Sequence, residues 1–310
     1  MKRYLAGWFI LCGLIARAVV GPVGAEVRYP LGLGISERYQ LPSQDAAISG
    51  LRLSIYRVRN RRLAGIDFGP LSYTRIEESS HGVQTGMITE TEGEVVGLQL
   101  SGVAIGGSRF TGIQTAAVAV VQADYRGVQI AAGAATEGNH YGFQGAYFAG
   151  MADGDFRGIQ TVILGGDVTG NFAGGQISGF GSSTRKQFFG VQFGGLYSIT
   201  GESLTGIQGG FVGKTGGLRG IQLGGLNIST EQGSGGQFGI KNYSDRQFRG
   251  LQIGVINYAG SLTGLQLGLV NWTARLQGIQ IGILNVKTDR ERGRSLRSPA
   301  RLLPLINWSF

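Results

Sequence analysis

Three consecutive copies of one motif, Gly250-Leu-Gln-Ile-Gly-Val-Ile-Asn257, Gly264-Leu-Gln-Leu-Gly-Leu-Val-Asn271 and Gly278-Ile-Gln-Ile-Gly-Ile-Leu-Asn285, decide how this chain folds. Within each copy, apolar residues alternate with glycine and glutamine. A period of two is typical of a β-strand, here with one apolar face and one face of small and amide side chains. A helix is excluded because two glycines in five residues would cost it about 2 kcal/mol.

The glycine that opens the motif, which we term the anchor glycine, recurs sixteen times at spacings of 14 to 17 residues. Glutamine stands two positions after every anchor glycine except at Arg52 and Asp67. So short and regular a period predicts a repeat architecture over residues of about 48–286. The anchor glycines are Gly50, Gly65, Gly82, Gly97, Gly112, Gly127, Gly142, Gly158, Gly174, Gly190, Gly206, Gly220, Gly235, Gly250, Gly264 and Gly278.

The termini of the chain differ from the repeats. Residues 1–25 read as a secretory signal peptide, with Lys2 and Arg3 before a short apolar stretch and a small-residue cleavage pattern at its end. Cys12, the one cysteine, lies within it, so the remainder predicts no disulfide. Residues 26–310 are predicted to be one repeat domain, which ends in a basic loop (287–301) and a C-terminal strand (302–310).

An all-β protein of about 16–18 short strands follows, and our first prediction is an antiparallel outer-membrane β-barrel. About 15 residues suit one strand and a tight turn, and alternating small and apolar faces match a lumen and a lipid side. Ile306, Trp308 and Phe310 alternate at the end of the chain, which resembles the signal read by the barrel-assembly machinery. The glutamines predicted to line the lumen, or to form a ladder, are Gln192, Gln208, Gln222, Gln237, Gln252, Gln266 and Gln280.

The alternative is a parallel β-solenoid, in which every coil has the same environment. In that fold Leu265, Leu267 and Leu269 would point inward, and stacked glutamines would form a hydrogen-bonded ladder. The late asparagines, such as Asn257, would form a second ladder or serve as turn residues. Several of the inward positions are poor core fillers, for example Thr161, which favours the barrel.

The motif Gly-Φ-Gln-Φ-Gly-Φ-Φ-Asn, where Φ is apolar, resembles the leptospiral-type surface-repeat family of bacterial envelope proteins. The resemblance extends upstream to the stretches starting at Tyr29, at Ser49 (Ser-Gly-Leu-Arg-Leu-Ser-Ile-Tyr) and at Ala64 (Ala-Gly-Ile-Asp-Phe-Gly-Pro-Leu), and so covers nearly the whole chain after residue 25. It implies a location at the cell envelope and no particular activity. The early repeats depart from it, because asparagine is absent from that position before Asn227.

Residues that could carry chemistry are scarce. The two histidines, His81 and His140, lie in different repeats, so no histidine metal cluster is expected. Gly213-Lys214-Thr215 lacks the upstream glycine of a phosphate-binding loop, because Gln208 occupies that position. The net charge of +9 is not arranged as a basic stripe interleaved with aromatics, which argues against nucleic acid. No catalytic residue, cofactor or metal is therefore predicted.

These patterns predict a non-enzymatic protein of the outer membrane or cell surface. With an open barrel, it would act as a passive channel for small polar solutes, in contact with outer-membrane lipid and the assembly machinery. The alternative is a surface β-solenoid that serves as a scaffold for adhesion or for binding a partner.

Overall fold

The computed structural model of the chain describes residues 27–288 and 301–309. These residues form strands and turns, arranged as a parallel β-solenoid of about 17 turns. None of them belongs to a helix that is long and apolar enough to cross a membrane. The chain divides into two compact units, unit 1 (Met1–Ala146) and unit 2 (Tyr147–Phe310). The predicted signal peptide, residues 289–300 of the predicted basic loop, and Phe310 lie outside the described residues.

The strands of each unit follow the winding of its coils, and two of them, each 35 residues long, run through more than one coil. In unit 1 they are β1 (Arg28–Ser36), β2 (Tyr39–Leu41), β3 (Ala47–Ser54), β4 (Arg57–Thr91), β5 (Glu94–Gly106), β6 (Phe110–Val121) and β7 (Tyr125–Thr136). Strand β8 (His140–Ala152) spans the boundary. In unit 2 they are β9 (Phe156–Val162), β10 (Gly165–Val168), β11 (Phe172–Ser178), β12 (Gly181–Thr184), β13 (Phe188–Gly194), β14 (Tyr197–Gly209), β15 (Val212–Ser229), β16 (Gly233–Leu267), β17 (Val270–Lys287) and β18 (Arg301–Ser309).

Successive repeats pair in parallel, with equivalent residues side by side. Gly97 lies opposite Gly112 in the β5–β6 pair, and Asn257 lies opposite Asn271 in the β16–β17 pair. The antiparallel barrel is therefore not supported, and the parallel solenoid is confirmed. The physical reason is that only a parallel, in-register stack brings every anchor glycine onto the anchor glycine of the coil before it.

Glycine is required at the anchor positions for two reasons. Gly250 has φ +135°, a conformation that L side chains rarely adopt, and a Cβ there would overlap the carbonyl oxygen of Gly235. Every anchor glycine from Gly65 to Gly278 shares this backbone, with φ between +119° and +143°. The close approach of neighbouring backbones thus explains why the repeat keeps glycine at this position.

The two faces of each repeat strand are reversed from the predicted solenoid. Gln266 is fully buried, whereas Leu267 is 40% exposed and Leu269 is 51% exposed. The expectation that leucines of this series fill the core is wrong, because the inward face belongs to glycine and glutamine. Thr161 also points outward, so it leaves no void in the core.

The apolar core comes instead from the residue two positions before most of the anchor glycines. In unit 2 this column stacks Phe156, Phe172 and Phe188, with ring centroids 4.8 and 4.9 Å apart. Leu204 and Leu218 continue it, both almost completely buried. A second inward strand carries small or polar residues in many coils, such as Thr200 and Ala259, which are buried.

Candidate functional site

The seven glutamines singled out in the sequence form one buried, hydrogen-bonded column in unit 2. Each Nε2 donates to the Oε1 of the glutamine one coil earlier, at distances of 2.6 to 2.9 Å. The column, which we call the Gln column, extends back through Gln176 to Gln160. Every bond points the same way along the stack, an arrangement in which hydrogen bonds strengthen one another.

The amides of the Gln column have little capacity left for a ligand. Gln192 donates a second time to the carbonyl of Ile199, and Gln222 to that of Ile228, both at 3.2 Å. Each of the seven side chains is fully buried. The glutamines therefore hold the coils together and do not line a path for solutes, so the predicted lumen face is not an open surface.

A second ladder runs through the late asparagines of unit 2, which we call the Asn column. Asn242 Nδ2 donates to Asn257 Oδ1 at 2.8 Å and to the carbonyl of Ile253 at 2.8 Å. The same pair of bonds recurs at Asn227, Asn257 and Asn271. Of the two interpretations left open by the sequence, the structure shows the ladder.

The Asn column explains the second glycine of the motif. A Cβ at Gly254 would lie 2.7 Å from Asn242 Nδ2, and one at Gly268 would lie 2.5 Å from Asn257 Nδ2. The amide therefore occupies the space that a side chain would need. The glycine of one coil and the asparagine of the coil before it therefore form one structural element.

The C-terminal strand β18 closes unit 2. It runs antiparallel to β17, with Asn307 opposite Gln280 and Ile306 opposite Ile281. Asn307 Nδ2 donates to Gln280 Oε1 at 2.7 Å, which satisfies the last acceptor of the Gln column. Ile306 and Trp308 point outward, 50% and 65% exposed. Their alternation thus belongs to a strand that caps the solenoid. The assembly signal was predicted for a barrel, and this strand does not lie in one.

In unit 1 the two exceptions to glutamine form a buried ion pair. Arg52 Nε donates to Asp67 Oδ1 at 2.9 Å, and Arg52 Nη2 donates to Asp67 Oδ2 at 2.6 Å. Arg52 Nη1 donates to Asn60 Oδ1 at 2.7 Å. A bidentate pair with a third partner satisfies both charges in a site closed to water. This cluster is structural, and opposite charges at consecutive repeat positions were its signal in the sequence.

The two histidines have unrelated surroundings. His140 stacks on Tyr125 with ring centroids 4.8 Å apart, and Tyr125 stacks on Phe110 at 5.1 Å. Burial lowers the pKa of His140 to about 4, so its imidazole is neutral at physiological pH. His81 is exposed on the outer surface of unit 1. The described residues do not bring either histidine into a catalytic group.

Clusters that could hold a metal are absent from the part of the chain that the structure describes. The acidic residues of the early coils are instead engaged with basic ones on neighbouring coils. Arg59 pairs with Glu77, and Arg75 pairs with Glu92. These pairs form a charged outer surface on the early coils of unit 1.

Unit 2 presents an extended apolar surface. Side chains one, three and five positions after each anchor glycine point outward and are mostly aliphatic or aromatic, and we call this surface the apolar outer face. Examples are Val191 at 47%, Phe193 at 48% and Ile283 at 68% exposed. Nine repeats spaced by about 4.8 Å, with about 20 Å of strand each, give an area on the order of 800 Å². That exceeds the largest patch of a typical monomer, about 300–600 Å².

Part of the apolar outer face is a shallow groove of about 920 Å³. One wall is formed by residues three positions after the anchor glycine, such as Ile253 and Leu267, and the other by residues such as Val255 and Leu269. Gly254 and Gly268 form its floor. The glycines that make room for the Asn column inside thus also create the groove outside.

Sequence reasoning identified the repeat positions but assigned the apolar side chains to lipid or to the core. The signal that could have shown their exposure is the polarity of the opposite face. A buried column of glutamine satisfies itself, so the apolar series need not be inside. Comparisons with protein-family models, with curated proteins and with solved structures find no match.

Proposed function

We propose that this protein is a non-enzymatic scaffold of the cell envelope that binds a partner through the apolar outer face of its solenoid. The single observation that carries the proposal is the exposure of aliphatic columns on a frame whose interior is held by amide ladders. Exposed apolar surface of this extent marks an interaction site in soluble proteins. The predicted signal peptide and the resemblance to surface-repeat proteins support the location at the envelope.

The frame suits a binding surface because its outer residues can change without affecting the fold. The Gln column, the Asn column and the anchor glycines determine the coil, and none of them contributes a side chain to the outer face. Ile240 and Ile283, 59% and 68% exposed, contact solvent on most of their surface. Substitution there is expected to leave stability nearly unchanged.

A passive channel, the other function predicted from sequence, has no support in unit 2. Gln208 and Gln252 fill the interior and bond to their neighbours, which leaves no polar path along the coils. An adhesion or partner-binding role needs only the outside of the solenoid. The scaffold is therefore the function that the geometry favours.

The test compares two serine variants in cells that express the chain. Ile240→Ser with Ile283→Ser removes two side chains of the apolar outer face, and Trp272→Ser removes a 47% exposed side chain from the second strand as a control. The double variant should move from the envelope fraction to the soluble fraction, while the control stays with wild type. Circular dichroism should show both folded. Equal distribution of all three proteins would overturn the proposal.

A further inference from the structure

The charged residues of the apolar outer face share one sign. In unit 2 the residue before the anchor glycine points to the same side as the apolar columns and is arginine in three repeats, for example Arg219 and Arg249, both exposed. Lys241, next to Ile240, is exposed as well. Asp and Glu are absent from these outward positions. The charged residues concerned are Arg157, Arg219, Lys241 and Arg249.

The acidic residues of unit 2 lie elsewhere on the coil. Those that the structure describes are found on the second strand or in the turns after it, where Asp167 pairs with Arg185 and Glu231 pairs with Arg246. The coil thus separates charge into a mixed side and a side that is apolar with basic residues only. The acidic residues of unit 2 that the structure describes are Asp153, Asp155, Asp167, Glu202, Glu231 and Asp245.

We infer that the partner of the apolar outer face is a lipid surface that contains anionic headgroups; the inference rests on the proposed function. Aliphatic columns such as Ile221 and Leu223 would contact acyl chains, and the arginine that precedes them on the same strand, Arg219, would contact lipid phosphate. Basic residues near an anionic surface contribute about 1 kcal/mol each. The apolar area then adds binding energy that does not depend on salt.

A second copy of the chain fits this face less well. Two copies facing each other would bring Arg219, Lys241 and Arg249 of each copy together, because the outward positions carry no acidic residue. Bringing like charges together in an interface costs several kcal/mol. An anionic lipid surface supplies the missing negative charge, which decides between the two occupants.

The experiment is flotation of the full chain with vesicles of phosphatidylcholine alone or mixed equally with phosphatidylglycerol. Arg219→Glu with Arg249→Glu reverses two charges on the face. The matched control, Lys186→Glu with Arg275→Glu, reverses two exposed charges on other parts of the coil. All variants carry the same N-terminal residues, so a difference between them reports on the face alone.

Wild type and control should bind the mixed vesicles, and the face variant should bind at least about 30-fold more weakly, because the loss of two basic charges predicts that factor and the two new carboxylates are repelled by the anionic lipid as well. Raising NaCl from about 0.1 M to about 1 M, which shortens the screening length from about 10 to about 3 Å, should reduce the difference. Ile240→Ser with Ile283→Ser should weaken binding to mixed vesicles in high salt as well.

Equal loss in the face variant and the control, or equal binding to both kinds of vesicle, would overturn the inference. Sedimentation separates this from failure of the scaffold. If vesicles do not bind but the chain forms dimers that Ile240→Ser with Ile283→Ser dissociates, the face is a binding surface and the partner is a second copy. If the chain neither binds vesicles nor forms dimers, and Ile240→Ser with Ile283→Ser does not change its envelope location, the proposed function fails too.

Discussion

The same inward position of the coil is filled in two different ways in the two units. Seven residues after the anchor glycine, the late coils of unit 2 carry asparagine, as at Asn242 and Asn257, whereas coils of unit 1 carry alanine, as at Ala104, Ala119 and Ala134. All of these side chains are nearly or fully buried. One solution uses a ladder of amides and the other uses small apolar side chains, on the same backbone.

The difference extends to the position three residues earlier. Where asparagine is present, that position is glycine, as at Gly254 and Gly268; in the coils of unit 1 that carry alanine it has a side chain, as at Ala116 and Ala131. The amide of Asn242 or Asn257 lies where a Cβ would be, so the two positions depend on each other. The comparison teaches that this fold is specified by pairs of inward positions and not by single residues.

The largest effect is expected where the units agree, at the anchor glycine. Gly250→Ala should destabilise unit 2 by more than about 4 kcal/mol, because the new Cβ would overlap the carbonyl oxygen of Gly235 at a φ of +135°. Gly175→Ala is the control, since a Cβ there meets nothing within 4 Å. Urea unfolding followed by circular dichroism measures both. A Gly250→Ala protein with the wild-type midpoint would show that the backbone contact is not required.

The next effect tests the place where the units differ most in charge. Asp67→Gln alone leaves the guanidinium of Arg52 buried without its carboxylate and should cost about 3–5 kcal/mol. Arg52→Gln with Asp67→Gln restores the residue found at this position in the other repeats. The double variant should come within about 1 kcal/mol of wild type in the same urea experiment.

Failure of that recovery would identify a need for charge at the start of the stack. If the double variant is as unstable as Asp67→Gln, glutamine cannot replace the pair. The loss of the hydrogen bond between Arg52 and Asn60 would then be the next cause to test. Recovery would show instead that glutamines at these two positions can replace the ion pair.

The sequence predicted the strands and the repeat, because the period of two and the regular glycines are local properties of the chain. It did not predict which side of the strand is inside. Leu267 and Gln266 give an alternating pattern that reads the same in both orientations, and hydropathy favours burial of the leucine. Which side faces inward is determined by contacts between coils, where Gln266 Nε2 donates to Gln252 Oε1 at 2.7 Å.

The parallel pairing was also beyond the local pattern. Ile306, Trp308 and Phe310 alternate as an edge strand does, and that alternation is compatible with a barrel as well as with a cap. What distinguishes the cap from the barrel is the partner of Asn307, a buried polar residue of β18 that donates to Gln280. The matching amide at the end of the chain was present in the sequence, but its meaning depends on the ladder.

An exchange between the two solutions tests the dependence of inward positions on each other. Asn257→Ala removes bonds to Asn242, Asn271 and the carbonyl of Leu267, and should cost about 3 kcal/mol because buried polar groups lose partners. Thermal unfolding of the variant and of wild type measures the change. A loss below about 1 kcal/mol would mean that the ladder contributes little beyond filling space.

The reverse exchange, Ala119→Asn, introduces a lone amide into unit 1. Its neighbours in the column are Ala104 and Ala134, which offer no side-chain partner, so the variant should lose about 2–3 kcal/mol. Ala119→Ser, smaller and still polar, should lose less. An Ala119→Asn protein as stable as wild type would contradict the idea that an amide here needs amides on both sides.

The smallest expected effect is a pH dependence located in the aromatic column of unit 1. His140 has a folded pKa of about 4, lowered by burial from an ordinary value of 6.5. Below pH 6.5 the unfolded chain binds a proton that the folded chain does not, so stability falls as pH drops from about 6.5 to about 4. The shift predicts a loss of about 2 kcal/mol between pH 8 and pH 5 from this residue.

His140→Phe is the matched variant, because unit 2 stacks Phe156, Phe172 and Phe188 at the equivalent positions. It should remove that part of the pH dependence while the protein stays at least as stable as wild type near pH 8. Urea midpoints at several pH values give the comparison. If the profiles of His140→Phe and wild type coincide, His140 contributes no pH dependence. Its imidazole is then protonated in the folded column as readily as in the unfolded chain, which would contradict the prediction.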